Sequence, residues 1–247
     1  MNRFVFAFAA ALLLPPAAAG AGVSSATMAA TDSTRPPSRY AKPDSALMAS
    51  LGRGGYLLVF RHGKTDWAQR DTDLMNLANR DTQRNLSDVG RREMEEVGKA
   101  IAALGLPIGA VASSPLWRCR DTATLAFGHC DTTSALFLRG PEYRTVRVTM
   151  LSTPPPPGKD DVIVTQQDLV MPILGILRDE LGEGEALIIL PHGDGKFDVA
   201  AQIAPEDWLR FAAAARSKPA AVKAAPGSKA APAGKAKTKR PATTKTK

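Results

Sequence analysis

The chain has 247 residues and a formal net charge of +8, from 32 Lys and Arg against 24 Asp and Glu. The excess resembles a nucleic-acid footprint, but residues 217–247 alone hold eight Lys, one Arg and no acid, which leaves the remainder close to neutral. That excludes a domain whose body is built to track nucleic acid, and the sequence shows no cluster of metal-ligating residues.

The first 22 residues carry one charge, Arg3, followed by the apolar run FVFAFAAALLL and small residues around Pro15 and Pro16. A charged start, an apolar stretch short for a bilayer and a small-residue zone near Ala19 predict a secretory signal peptide over 1–22. An uncleaved anchor is the alternative. The expected location is therefore exported, periplasmic or secreted. With no cysteine near the cleavage zone, no lipid attachment is expected there. Residues 23–44 are small, polar and proline-bearing, and read as a linker. A folded domain is expected over 45–215, long enough for one full core.

Within it, Tyr56–Phe60, Ala110–Ser113 and Val162–Thr165 are short apolar runs suited to buried parallel strands. Ser87 is a good N-cap for a helix whose buried face is Gly90, Met94, Val97, Ile101 and Leu104, ended by Gly105. A second helix is expected from Pro115 to Phe127, with Ser114 as its cap. Further helices are expected over Tyr143–Thr153, ahead of four prolines, and over Leu169–Leu181. Glu185–Leu190 and Lys196–Ile203, joined through His192-Gly-Asp-Gly, read as a hairpin at the sheet edge. Strands alternating with helices predict an α/β sandwich. Cys119 sits early in the second helix and Cys130 beyond its end, so a disulfide would need the chain to double back. The tail at 216–247 is rich in Lys, Ala and Pro with almost no large apolar residue. It is expected to be disordered and to bind polyanions weakly, without specificity for nucleic acid.

The chemistry concentrates at residues 57–65, LLVFRHGKT, where an apolar strand runs into an Arg-His-Gly corner. Such strand ends are where open α/β sheets bind ligands. The corner offers a guanidinium, Arg61, to grip an oxyanion, and an imidazole, His62, suited to phosphoryl transfer. Residues 85–90 read NLSDVG, and residues 113–123 read SSPLWRCRDTA. Arg118 lies at a helix N-terminus, where a cation is disfavoured unless an anion is bound. Lys64, Arg84 and Asn85 are further candidates for phosphate or substrate binding, or else parts of a solvated loop.

The ordered set of RHG after a strand, NLS..G opening a helix, and SSPL.R...TA resembles the histidine phosphatase superfamily, in its phosphoglycerate-mutase-like branch, over about residues 54–208. The resemblance implies a three-layer α/β sandwich, with a mostly parallel central sheet and helices on both faces. It implies that His62 is the phosphoryl-accepting nucleophile and that Arg61 and Arg118 clamp the phosphate, with no cofactor and no metal. It also implies a second histidine after a later strand. Here that stretch is VIVTQQDLVMPILG, residues 162–175, and Gln166 holds the position. The amide of Gln166 is expected to donate to a phosphoryl oxygen without being able to carry a proton. The leaving-group acid is either Glu142 or Asp168. His129 and His192 read as surface residues. The implied activity is hydrolysis of a phosphomonoester through phospho-His62, slowed by Gln166. The alternatives are a degenerate module that binds phosphate without turnover, and an envelope protein acting through its tail.

Overall fold

The computed structural model describes residues 38–177 and 179–217. The expected signal peptide, the linker up to residue 37 and the basic tail beyond Ser217 lie outside them. The last part of the expected linker lies against the domain. The Tyr40 hydroxyl donates to the Leu174 carbonyl at 2.8 Å, the Gln202 N–H to the Ala41 carbonyl at 3.0 Å, and Arg39 pairs with Glu180 at 2.7 Å.

The elements run α1 (Ser45–Leu51), β1 (Leu57–Arg61), α2 (Asp88–Ala103), β2 (Ile108–Ser113), α3 (Trp117–Phe127) and β3 (Asp131–Thr132). A 3₁₀ turn (Ser134–Leu136) follows, then α4 (Pro141–Ser152), β4 (Asp160–Thr165), β5 (Ala186–Gly193), β6 (Lys196–Ile203) and α5 (Pro205–Ser217). They build one six-stranded mixed sheet in the order β3-β2-β4-β1-β5-β6. β1, β4, β2 and β3 pair in parallel, while β5 and β6 add antiparallel at the other edge.

The topology places the helices. From β1 to β2 to β3 the chain steps outward through α2 and α3, and right-handed crossovers keep those helices on one face. The return from β3 to β4 reverses direction, so α4 falls on the other. The β1 side chains alternate accordingly. Leu58 and Phe60 pack with α2, α3 and α5, through Met94, Val97, Cys119 and Trp208. Leu57 and Val59 face the opposite layer, with Leu151 of α4 and Val170, Met171 and Leu174. The chain is thus the expected α/β sandwich, with its parallel strands at the centre and an antiparallel hairpin at one edge.

α2 begins as its sequence dictates, with the Ser87 hydroxyl accepting the Gly90 N–H at 3.1 Å. Gly90 is required by approach rather than by dihedral: a Cβ there would lie 2.0 Å from the Lys64 carbonyl oxygen, so this helix start presses directly on the RHG corner. α3 starts two residues later than expected. Leu116 is its N-cap and has no side-chain hydrogen bond, and the Trp117 N–H is satisfied instead by Gln83 Oε1 at 3.1 Å from the preceding loop.

The helix expected over 169–181 does not form at its start: residues 169–175 are successive turns, with Ile173 and Leu174 N–H donating to the Val170 carbonyl and Gly175 closing the run at φ +70°. Pro172 has no N–H to give, and the apolar side chains that suggested helical spacing instead cap the second core layer. Cys119 and Cys130 are both free thiols.

Candidate active site

Strands β2, β4 and β1 are neighbours and parallel, so their C-terminal ends share one edge of the sheet. His62 follows β1, Gln166 follows β4, and Arg118 lies in the first turn of α3 after β2. The convergence is fixed by backbone bonds. The His62 N–H donates to the Thr165 carbonyl at 3.0 Å, and the Ser114 N–H to the Val164 carbonyl at 2.9 Å. The Thr122 hydroxyl accepts the Gly63 N–H and donates to the Arg118 carbonyl, both at 2.8 Å, which ties the corner to α3.

A cavity of about 710 Å³ opens at this edge, and Arg61, His62, Arg84, Arg118, Gln166 and Asp168 are among its lining residues. His62 is 2 % exposed. Its Nδ1 lies 2.9 Å from the Gly63 carbonyl, a bond that assigns the ring proton to Nδ1 and leaves Nε2 with its lone pair. Burial and then the Arg118 charge hold the imidazole well below its usual pKa; the Gly63 bond opposes them, and Arg61 and Arg84 add smaller depressions. At neutral pH the ring is therefore uncharged and nucleophilic.

The three arginines are partly committed. Arg61 Nη1 donates to the Leu181 carbonyl at 2.6 Å, and Nη2 lies 3.7 Å from Glu183. Arg118 Nη1 donates to Asp71 at 3.0 Å and to the Arg84 carbonyl at 3.3 Å. Arg84 stacks its guanidinium 4.0 Å over the Trp67 ring. In all three, the buried Nε–H has no protein partner among the described residues. Three cations around one neutral imidazole, each with a buried Nε–H that the described residues do not satisfy, make an environment suited to an oxyanion.

The remaining candidates separate. Gln166, 8 % exposed, lines the cavity, but its Nε2 donates to the Leu136 carbonyl at 2.8 Å, and its Oε1 lies 3.7 Å from the Cys119 sulfur. The amide expected to face a phosphoryl oxygen thus has one N–H engaged by the backbone. Asp168 lines the cavity and is paired with Arg139 at 2.6 Å. Glu142 is exposed in the first turn of α4 and is not part of the lining. Lys64 is not among the lining residues and is paired with Glu93 at 2.6 Å. Asn85 spends its amide on Gln69, Arg80 and Gln83, holding the loop before α2 in shape. His192 pairs with Asp198 on the exposed hairpin, and His129 is exposed.

The structure also adds residues that the sequence did not single out. Asp71 accepts from both Arg118 and the Arg84 N–H, Trp67 backs Arg84, and Gln167 lines the cavity with a buried Nε2 that has no protein partner among the described residues. Gln167 had one available signal, its place beside Gln166 after β4. Asp71 and Trp67 lie in a loop with no periodicity to betray them. Among the described residues, no group of three or more His, Cys, Asp or Glu side chains is placed to hold a metal ion, and no helix is long and apolar enough to cross a membrane.

Residues 57–136 match the family model described as histidine phosphatase superfamily (branch 1). No curated protein matches the chain. Similar solved structures include a protein histidine phosphatase SixA complexed with tungstate, 13 % identical, covering 62 % of this chain and 98 % of its own with a TM-score of 0.47. Another is a phosphoserine phosphatase mutant from Entamoeba histolytica in complex with phosphoserine, at 14 % identity, 62 % and 98 % coverage and a TM-score of 0.42. A third is a mycobacterial glucosyl-3-phosphoglycerate phosphatase, at 16 % identity, 59 % and 98 % coverage and a TM-score of 0.37.

Proposed function

We propose that the chain, whose residues 57–136 match the histidine phosphatase superfamily (branch 1), is a member of that family and an exported phosphomonoesterase working through a phosphohistidine at His62. The observation that carries this reading is the neutral, buried His62 set among three arginines whose Nε–H groups have no protein partner among the described residues.

In the proposed reaction, Arg61, Arg84 and Arg118 hold the phosphoryl oxygens while His62 Nε2 attacks phosphorus. The Gly63 carbonyl takes the positive character developing on Nδ1–H. The N–P bond forms as the P–O bond to the alcohol breaks, and the bonding pair leaves on that oxygen. Water then attacks phosphorus, the N–P bond breaks, and inorganic phosphate departs. Positioning and charge supply most of such a rate, and this site has both. Of the two candidate acids, Asp168 is the one at the cavity. The substrate is a phosphomonoester whose identity is set by the cavity walls.

A specific observation supports a second reading, binding without turnover: the Gln166 amide is engaged by Leu136 where the family places a histidine. Release of phosphate from a chromogenic phosphomonoester, abolished in His62→Ala, is the expected result. Tight phosphate binding with no release above the His62→Ala background would favour the second reading.

A further inference from the structure

The cavity is larger than a phosphoryl group requires. At about 710 Å³ it falls in the range of about 300–1,000 Å³ typical of pockets that enclose a whole organic ligand. Its cationic end is polar, but the walls leading away from it carry Trp67, Leu74, Phe137, Leu138, Pro172 and Ile176. Exposed large apolar side chains are also concentrated there. Trp67 at 71 % and Leu138 at 38 % line the cavity, while Met75 at 96 % and Leu177 at 63 % directly follow lining residues. An apolar, solvent-facing rim around an anion site is the surface of a ligand that carries both characters.

Building on the phosphatase reading, we infer that the ligand is an aryl phosphate monoester, with its phosphoryl group on the arginines and its aromatic ring against Trp67 and the apolar wall. Two independent features favour an aryl over an alkyl alcohol. The first is Trp67, which the Arg84 guanidinium holds at 4.0 Å while most of the residue stays exposed. This couples an aromatic platform directly to the phosphate clamp. The second is the leaving-group side of the site. Gln166 cannot deliver a proton, and Asp168 is shared with Arg139 at 2.6 Å. A phenol, with a pKa of about 10, leaves as its anion far more readily than an aliphatic alcohol closer to water at about 15.7. When His62 Nε2 bonds to phosphorus, the aryl oxygen departs with the bonding pair and takes its proton from solvent. Water then cleaves the N–P bond to give phosphate, so the net reaction consumes one water.

Calorimetry on the His62→Ala protein, which cannot form the phosphoenzyme, would compare 1-naphthyl phosphate, phenyl phosphate, phosphoserine and inorganic phosphate. Turnover of the same esters would be followed on the wild type. The aryl esters should bind about ten- to a hundredfold more tightly than phosphoserine. Trp67→Ala should erase most of that preference, weakening the aryl esters at least tenfold more than inorganic phosphate, and Trp67→Phe should keep it. Equal affinity for naphthyl phosphate and phosphoserine, or a preference that survives Trp67→Ala, overturns the aryl assignment even if all esters are hydrolysed. An aryl preference without turnover of any ester upholds the assignment of the cavity and removes the phosphatase reading instead. Failure of every compound to bind overturns both.

Discussion

Arg118→Ala tests the architecture of the site most directly. Nη1 of Arg118 is taken by Asp71 and the Arg84 carbonyl, which leaves Nη2 and the buried Nε–H, unpartnered among the described residues, for an oxyanion. Two charge-assisted hydrogen bonds at about 1.5–3 kcal/mol each, not fully additive, put the loss of phosphate binding at about 2–4 kcal/mol. That is roughly a 30- to 1,000-fold weaker dissociation constant. Arg118→Lys should recover part of this, since it keeps the charge without the fork. Asp71 is not stranded by the change, because it still accepts the Arg84 N–H at 2.9 Å. The same substitution removes the largest charge acting against protonation of His62. The imidazole should then titrate higher than in the wild type but still below its ordinary value, since burial, the larger cause, remains. Calorimetry with inorganic phosphate at low salt and an NMR titration of the His62 ring read the two effects separately. Phosphate affinity changed by less than threefold, together with an unmoved or lowered His62 midpoint, would refute the placement of Arg118 against both the anion and the imidazole.

The remaining expectations follow from single contacts. Gln166→His should raise kcat on a chromogenic phosphomonoester about ten- to a thousandfold, because the present amide has one N–H committed to Leu136; an unchanged kcat would show that the slow step lies elsewhere. Asp160, buried with Oδ2 unpartnered among the described residues, has its pKa raised from 3.8 to about 6, chiefly by burial. The folded state then binds more protons than the unfolded state across that window, so this group's contribution to stability falls as pH rises through it. Asp160→Asn keeps an acceptor for the Tyr56 N–H and should stabilise the protein by about 1–3 kcal/mol at pH 7 but not at pH 3.5, as denaturant melts at the two pH values would show. Gly90→Ala forces a Cβ against the Lys64 carbonyl and should lower stability by about 2–4 kcal/mol; a Tm within a degree of wild type would mean that the helix start yields freely. Removing residues 218–247 should abolish retention on a polyanion column at low salt, and retention equal to that of the full chain would place the polyanion contacts in the domain.

The sequence by itself determined what near neighbours decide. A run of apolar β-formers followed by Arg-His-Gly had to be a buried strand ending in a corner, and Ser87 had to cap α2 because its hydroxyl needs only the N–H three residues on. The hairpin at 186–203 and the helix before the four prolines were legible for the same reason. The order of the three motifs was enough to place His62 and Arg118 in one site, since parallel strands with helical crossovers bring successive strand ends to one edge. The stretch 169–181 was misleading because helical spacing of apolar residues also suits a compact turn lying on a core. What only the tertiary structure decided is which donors remain for a ligand. Lys64 and Asn85 stand beside the motifs, yet Glu93 and the loop before α2 claim them, while Asp71 and Trp67 reach the cavity without any local signal. Glu142 and Asp168 were equivalent on paper, and the position of α4 leaves only Asp168 at the cavity. Free hydrogen-bonding capacity is what remains after partners distant in sequence are satisfied. Arg61 is held by Leu181 and Arg118 by Asp71, so no reading of adjacent residues can yield it.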